Sequence, residues 1–113
     1  MRAPILQNEL AFVIYDKYPV NPGHALILPK RHIASFFEAN PDEVTAMLAL
    51  LNEMRQRTDA NLAPDGYNIG VNIGEAAGQT VKHVHVHLIP RFHGDMENPR
   101  GGVRGVIPAK QSY

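Results

Sequence analysis

The sequence predicts an α+β fold: an antiparallel sheet of about five strands, one long helix and one shorter one, and three observations carry it. Short apolar or alternating runs recur at Ile5-Leu6, Leu10 to Tyr15, His24 to Pro29, Tyr67 to Asn72 and Gln79 to Pro90, each too short for a free-standing helix. One stretch only, Asn40-Pro41-Asp42-Glu43, carries helix start signals in order: an N-cap, a proline at the first helical position, and a Glu three residues after the cap. The 113 residues, 44% of them apolar, suffice for one core, so residues 1–113 are expected to form a single domain.

Leu10 to Tyr15 is a continuous apolar run between polar flanks, which suits a strand buried on both faces, and Ile5-Leu6 is short enough to pair with it as a hairpin. Asp16 stands where that strand ends. Tyr18-Pro19-Val20-Asn21-Pro22-Gly23 is a connector, because its two prolines cannot donate to a ladder and Gly23 permits a sharp turn. In the next strand His24, Leu26 and Leu28 share one face. Arg31 to Glu38 reads as a short helical turn. From Pro41 onward Val44, Met47, Leu48, Leu51, Arg55, Thr58 and Leu62 fall at helical spacing, which predicts the buried stripe, and Pro64-Asp65-Gly66 ends the helix. The small residues of Ile73 to Gly78 allow backbone N–H groups to approach a ligand closely. Beyond Pro90, glycine and proline density leaves residues 92–113 as an irregular arm, with Arg100, Arg104 and Lys110 as cations that could lie over a phosphate site.

Gln79 to Pro90 alternates histidine with aliphatic residues before a proline stop: Lys82-His83-Val84-His85-Val86-His87-Leu88-Ile89. On a strand, His83, His85 and His87 would form a row spanning roughly 13 Å on one face. Three imidazoles so placed repel if all are charged. The row is open to three readings: a solvated face, a set of zinc ligands, and a metal-free nucleophile with its supporting groups.

The pattern His-φ-His-φ-His-φ-φ from His83 to Ile89 is the signature that marks the histidine triad family, and the sequence resembles that family on it. Gly78-Gln79-Thr80-Val81-Lys82 is most similar to the dinucleoside polyphosphate hydrolase branch, and Gly23 to Lys30 extends the resemblance. It implies a HIT-like fold and hydrolysis at the α-phosphate of a nucleotide, such as diadenosine tetraphosphate, through a nucleotidyl-histidine. His85 would be the nucleophile, His83 and His87 would orient it and stabilise charge, and Thr80 would assist the leaving group. Asp16, eight residues before His24, would hold the ribose hydroxyls, while His24, Asn72 and Gln79 would contact the phosphate region. The alternatives are a nucleoside phosphoramidate hydrolase and a nucleotide-binding or scaffolding module with little turnover. No metal ligand and no required cofactor is implied, though Mg²⁺ could enter through the substrate's phosphates. An adenosine-containing nucleotide and a second copy of the chain are the expected partners.

Eleven basic residues balance eleven acidic ones, so no overall field directs the chain to nucleic acid or an anionic membrane. The absence of cysteine excludes a disulfide scaffold and thiolate metal sites. No apolar run approaches the roughly 18 residues of a membrane span, and a cytoplasmic protein is expected.

Overall fold

The computed structural model describes residues 3–113. Five strands form one antiparallel sheet: β1 (Leu6–Gln7), β2 (Ala11–Tyr15), β3 (Ala25–Pro29), β4 (Gly66–Val71) and β5 (Val86–Arg91), in the order β1-β2-β3-β5-β4. One long helix, α1 (Pro41–Leu62), packs across one face. Register sorts the side chains. Val13 pairs with Ile27 and Ile27 with Val86, so these residues, with Ala11, Ala25 and Leu88, face α1 and meet Met47, Leu50 and Met54 in the core. Burying each of the larger side chains contributes about 1.5–3 kcal/mol.

The other face is open, and it positions the site. His87 lies directly between Leu26 on β3 and Gly70 on β4, on an internal strand of the sheet. The intervening Val84, Val86 and Leu88 are buried, while His83, His85 and His87 are half-buried.

The start of α1 follows its sequence signals: the Asn40 side chain accepts from the Glu43 N–H, and the Glu43 carboxylate accepts from the Asn40 N–H. The buried stripe differs from the expected one by about one residue of rotation. Glu43, Met47, Leu50, Met54 and Thr58 face the sheet, whereas Leu48 and Leu62 are exposed. Apolar residues at both 47/48 and 50/51 offer two stripes, and Arg31 decides between them. Its guanidinium forks onto Glu43 at 2.7 and 3.0 Å, holding that carboxylate under the chain and its pKa down at about 2. The shorter helix is one 3₁₀ turn, Phe36–Glu38, and the arm is more ordered than expected, with 3₁₀ turns at Gly102–Val106 and Pro108–Lys110.

Two expectations about the histidine stretch are corrected. Ladder pairing begins only at Val86, so His83 and His85 precede the strand, because the chain there leaves β3 to bond the Ile33 carbonyl through Val84 N–H. Pro90 does not stop the strand, which continues to Arg91. Opposite Tyr67 the proline keeps its carbonyl for Asn21 and needs no N–H.

Candidate active site

The connector between β2 and β3 is folded against the end of β5 by a polar cluster. Arg91 clasps both oxygens of Asp95 at 2.7 and 2.8 Å and reaches Asn68, while the Asn21 amide donates to Asp95 and to the Pro90 carbonyl. Asp95 is thereby held well below the usual carboxylate range, chiefly by Arg91. Asp16 opens the connector as a turn residue, accepting from the Tyr18 N–H. The Val20 N–H, held by this fold, donates to Nδ1 of His24 at 3.0 Å.

That contact fixes a chain of tautomers. Since His24 Nδ1 is an acceptor, neutral His24 carries its proton on Nε2, which lies 2.9 Å from His87 Nδ1 and 3.4 Å from Asp16 Oδ2. His87 Nδ1 then accepts, leaving Nε2–H as the hydrogen His87 presents. His85 is fixed independently. Its Nδ1 lies 3.1 Å from the His83 carbonyl, which can only accept, so Nδ1 carries the hydrogen and Nε2 of the neutral ring carries a lone pair. His83 donates its own Nε2–H to the Pro29 carbonyl at 2.7 Å and packs beside His32 and Phe12.

Burial pushes His24 and His87 below the ordinary 6.5 of histidine. For His24, desolvation outweighs the attraction of Asp16; for His87, the neighbouring His85 and His24 act in the same direction as burial. Both rings are neutral at pH 7, as the tautomer chain requires.

His85 and His87, with ring centroids 4.9 Å apart, line a polar cavity of about 420 Å³ together with Asp16, Lys17, Asn72, Gln79 and Thr80. Six of the eight residues singled out in the sequence thus meet in one place. The remaining two stand behind it: His24 is 3% exposed and touches the cavity's groups through His87 and Asp16, and His83 carries His85 on its carbonyl. Gln79 faces the cavity, but its amide is already engaged, accepting from Gly74 N–H and donating to the Ala34 and Val81 carbonyls.

The arm's cations lie elsewhere. Arg104 donates to the Gln111 and Lys110 carbonyls, Arg100 and Arg104 both stack on the Tyr113 ring, and neither they nor Lys110 line the cavity. The expectation that they cover a phosphate site is therefore corrected: backbone carbonyls hold Arg104, the Tyr113 ring faces both arginines, and Lys110 lies outside the cavity's lining. Lys17, which sequence reasoning passed over, is the one Lys or Arg among the cavity's described lining residues. Its place beside Asp16 at the strand end could have flagged it. Val20 and Asn21 were also passed over: Val20 acts through a backbone N–H that its side chain does not advertise, and the partners of Asn21, Pro90 and Asp95, lie across the fold.

Asp16, His24 and His87 bring one donor atom each within 4.8 Å of one another, a set that could hold a cation. A metal on His24 Nε2 would need the proton moved to Nδ1, where the Val20 N–H already donates, so the set fits a hydrogen-bonded chain better.

A family model described as the HIT domain matches residues 2–94. The chain belongs to the HIT family. An uncharacterised HIT-like protein of Methanocaldococcus jannaschii is 39% identical over 82% of this chain and 71% of its own. The bis(5'-adenosyl)-triphosphatase of Dictyostelium discoideum is 36% identical over 80% of this chain and 61% of its own. A crystal structure of a HIT family protein from Bacillus anthracis superposes with a TM-score of 0.79 at 32% identity, covering 84% of this chain and 67% of that one. The HIT chain spans between 60% and 66% of the length of several curated relatives it matches. Among the described residues, no helix is long and apolar enough to cross a membrane.

Proposed function

We propose that this HIT protein is a nucleotidyl hydrolase in which His85 Nε2 attacks the α-phosphorus of a bound nucleotide. The observation that carries the reading is the pair of fixed tautomers: a lone pair on His85 Nε2 beside a hydrogen on His87 Nε2, in one polar cavity. As the Nε2–P bond forms, the bond from phosphorus to the second group breaks, and the positive charge left on the His85 ring is met by the His83 carbonyl at Nδ1–H. His87 Nε2–H donates to a non-bridging oxygen as negative charge grows there. The Thr80 hydroxyl gives its proton to the departing atom and regains one from the water that cleaves the P–N bond in the second step. Asp16 accepts from ribose hydroxyls, Asn72 donates to phosphate oxygens, and Gln79 holds the loop that carries Thr80. His24 is a positioning residue, acting through His87.

Dinucleoside polyphosphates come first as substrates, on the name of the Dictyostelium relative and on the residues around Gln79. Nucleoside phosphoramidates are a second reading, favoured by the small number of cations at the cavity. The acting unit is a homodimer: β4 is an edge strand with unpaired backbone groups, and Ile69 on it and Leu48 on α1 are 49% and 55% exposed around one apolar hollow.

The test is His85→Ala together with mass spectrometry of the wild-type protein quenched during turnover. A folded variant with turnover reduced at least about a thousandfold, and a nucleotidyl adduct on His85, are expected. Substantial residual activity would refute the mechanism.

A further inference from the structure

The connector between β2 and β3 has a second side. Against the end of β5 it holds His24, and against the last turns of α1 it walls a cleft of about 360 Å³. Asp16 and His24 line this cleft as well, whereas His83, His85 and His87 do not. Tyr15 reaches it because it pairs with Ala25, which faces α1. The helix contributes two adjacent rows of residues four apart, Met54, Thr58 and Leu62 in one and Arg57 and Asn61 in the other. Met54 and Thr58 are buried, and the Thr58 hydroxyl is spent on the Met54 carbonyl at 2.9 Å, so the first row offers carbon. Pro19 and Pro22 line the connector's side and have no N–H to give.

The polar groups of the cleft divide into engaged and unengaged. The Asp16 carboxylate is engaged: it accepts from the Tyr18 N–H at 2.9 Å and lies 3.4 Å from His24 Nε2. Arg57 and Asn61 are exposed at the rim, and among the described residues no acceptor meets either of them. Arg55, two residues earlier, is by contrast bound to Asp59 at 2.9 Å. Apolar walls with a few unspent donors, in a cleft of this size, are the usual form of a small-molecule site. A guanidinium with an amide one helical turn away is satisfied by a carboxylate, which accepts from both.

We propose that the cleft binds a small apolar carboxylate, its acid on Arg57 and Asn61 and its body between the connector and α1, and that this occupant braces the connector from behind His24. Like charge on Asp16 keeps the acid at the Arg57 rim and sends the body toward Met54, Leu62 and the two prolines. Pro19 and Pro22 flank Val20, whose N–H holds His24 Nδ1 at 3.0 Å, so filling the cleft restricts the segment that fixes the histidine chain. Binding there requires no turnover, so its failure and that of the His85 mechanism are read separately.

Calorimetry on the full chain compares 3-phenylpropionate with the neutral 3-phenylpropan-1-ol, in the wild-type protein and in Arg57→Gln. The acid should bind about five to ten times more tightly than the alcohol, the strength of a charged contact at a half-open site. Arg57→Gln should remove that preference and leave the Kd of the alcohol unchanged. Amide NMR shifts induced by the acid should fall on Tyr15 to His24 and on Met54 to Leu62. Saturation with the acid should slow hydrogen exchange of the Val20 N–H at least about fivefold, the low end of ordinary coupling between two sites. Equal Kd for acid and alcohol, or no binding of either at millimolar concentration, overturns the proposal. So do shifts centred on Asn72, Gln79 and Thr80, since the polar cavity would then be the receptor, and an unchanged Val20 exchange rate at saturation. A smaller sedimentation coefficient for Arg57→Gln than for the wild-type protein also overturns it, because Arg57 would then belong to an interface between copies.

Discussion

Gly23→Ala tests how closely the connector and the histidine chain are coupled. Gly23 has φ +87°, and its added Cβ would lie 2.7 Å from Leu62 Cδ1 and 3.3 Å from Pro90 Cγ. The backbone conformation alone costs an L-residue about 1–2 kcal/mol. Leu62 is exposed at the end of α1 and can swing aside, but Pro90 is fully buried and cannot, so overpacking adds about 1–2 kcal/mol. The sum, about 2–4 kcal/mol, is a large part of the roughly 5–15 kcal/mol that holds a domain of this size. Gly66→Ala is the control, since its Cβ would meet nothing within 4 Å and its φ is not positive. Urea unfolding should move to a lower midpoint for Gly23→Ala by about 1–2 M at unchanged slope, and stay within about 0.5 kcal/mol for Gly66→Ala. Because Gly23 precedes His24, displacement of its backbone should also lengthen the 2.9 Å contact to His87 and lower turnover in the fraction that remains folded. Equal stability of the two variants would refute the packing argument.

Three further outcomes are expected. His24 and His87 titrate below 6.5 in the folded chain and near 6.5 when unfolded, so between those values the unfolded state binds more protons. Stability should be fully present above about pH 6.5 and fall as pH drops, and His24→Phe should flatten that fall when thermal midpoints are compared from pH 7.5 to 5. Turnover should survive exhaustive chelation of the protein followed by assay in metal-free buffer, apart from any demand of the substrate's own phosphates; stoichiometric zinc lost together with activity would instead assign Asp16, His24 and His87 to a metal. Light scattering at micromolar concentration should give a dimer's mass, and Ile69→Lys should return it to a monomer's, whereas a wild-type monomer would refute the assignment of the β4 edge.

The strands and the helix start were legible in the sequence because each rests on a local pattern, whereas the candidate site residues beyond the three histidines were reached only through the family resemblance that those histidines carry. The period-two alternation survives from Val84 to Pro90, the capping box of Asn40 and Glu43 forms within one turn, and the His-φ-His-φ-His-φ-φ pattern led to the residues that line the polar cavity. Even the tautomer of His85 is local, set by a carbonyl two residues away.

What the tertiary structure decided are contacts between residues far apart in the chain. The face that α1 buries was settled by an ion pair between Arg31 and Glu43, because two apolar stripes of similar strength were on offer. The tautomer of His87 depends on His24, 63 residues away, and that of His24 on a Val20 N–H whose loop Asn21 pins to Pro90 and Asp95. The arm's cations were plain in the sequence and their direction was not. A guanidinium turns to whichever carbonyls, carboxylate or aromatic face the fold sets within reach, and here these lie inside the arm, leaving valines toward His87.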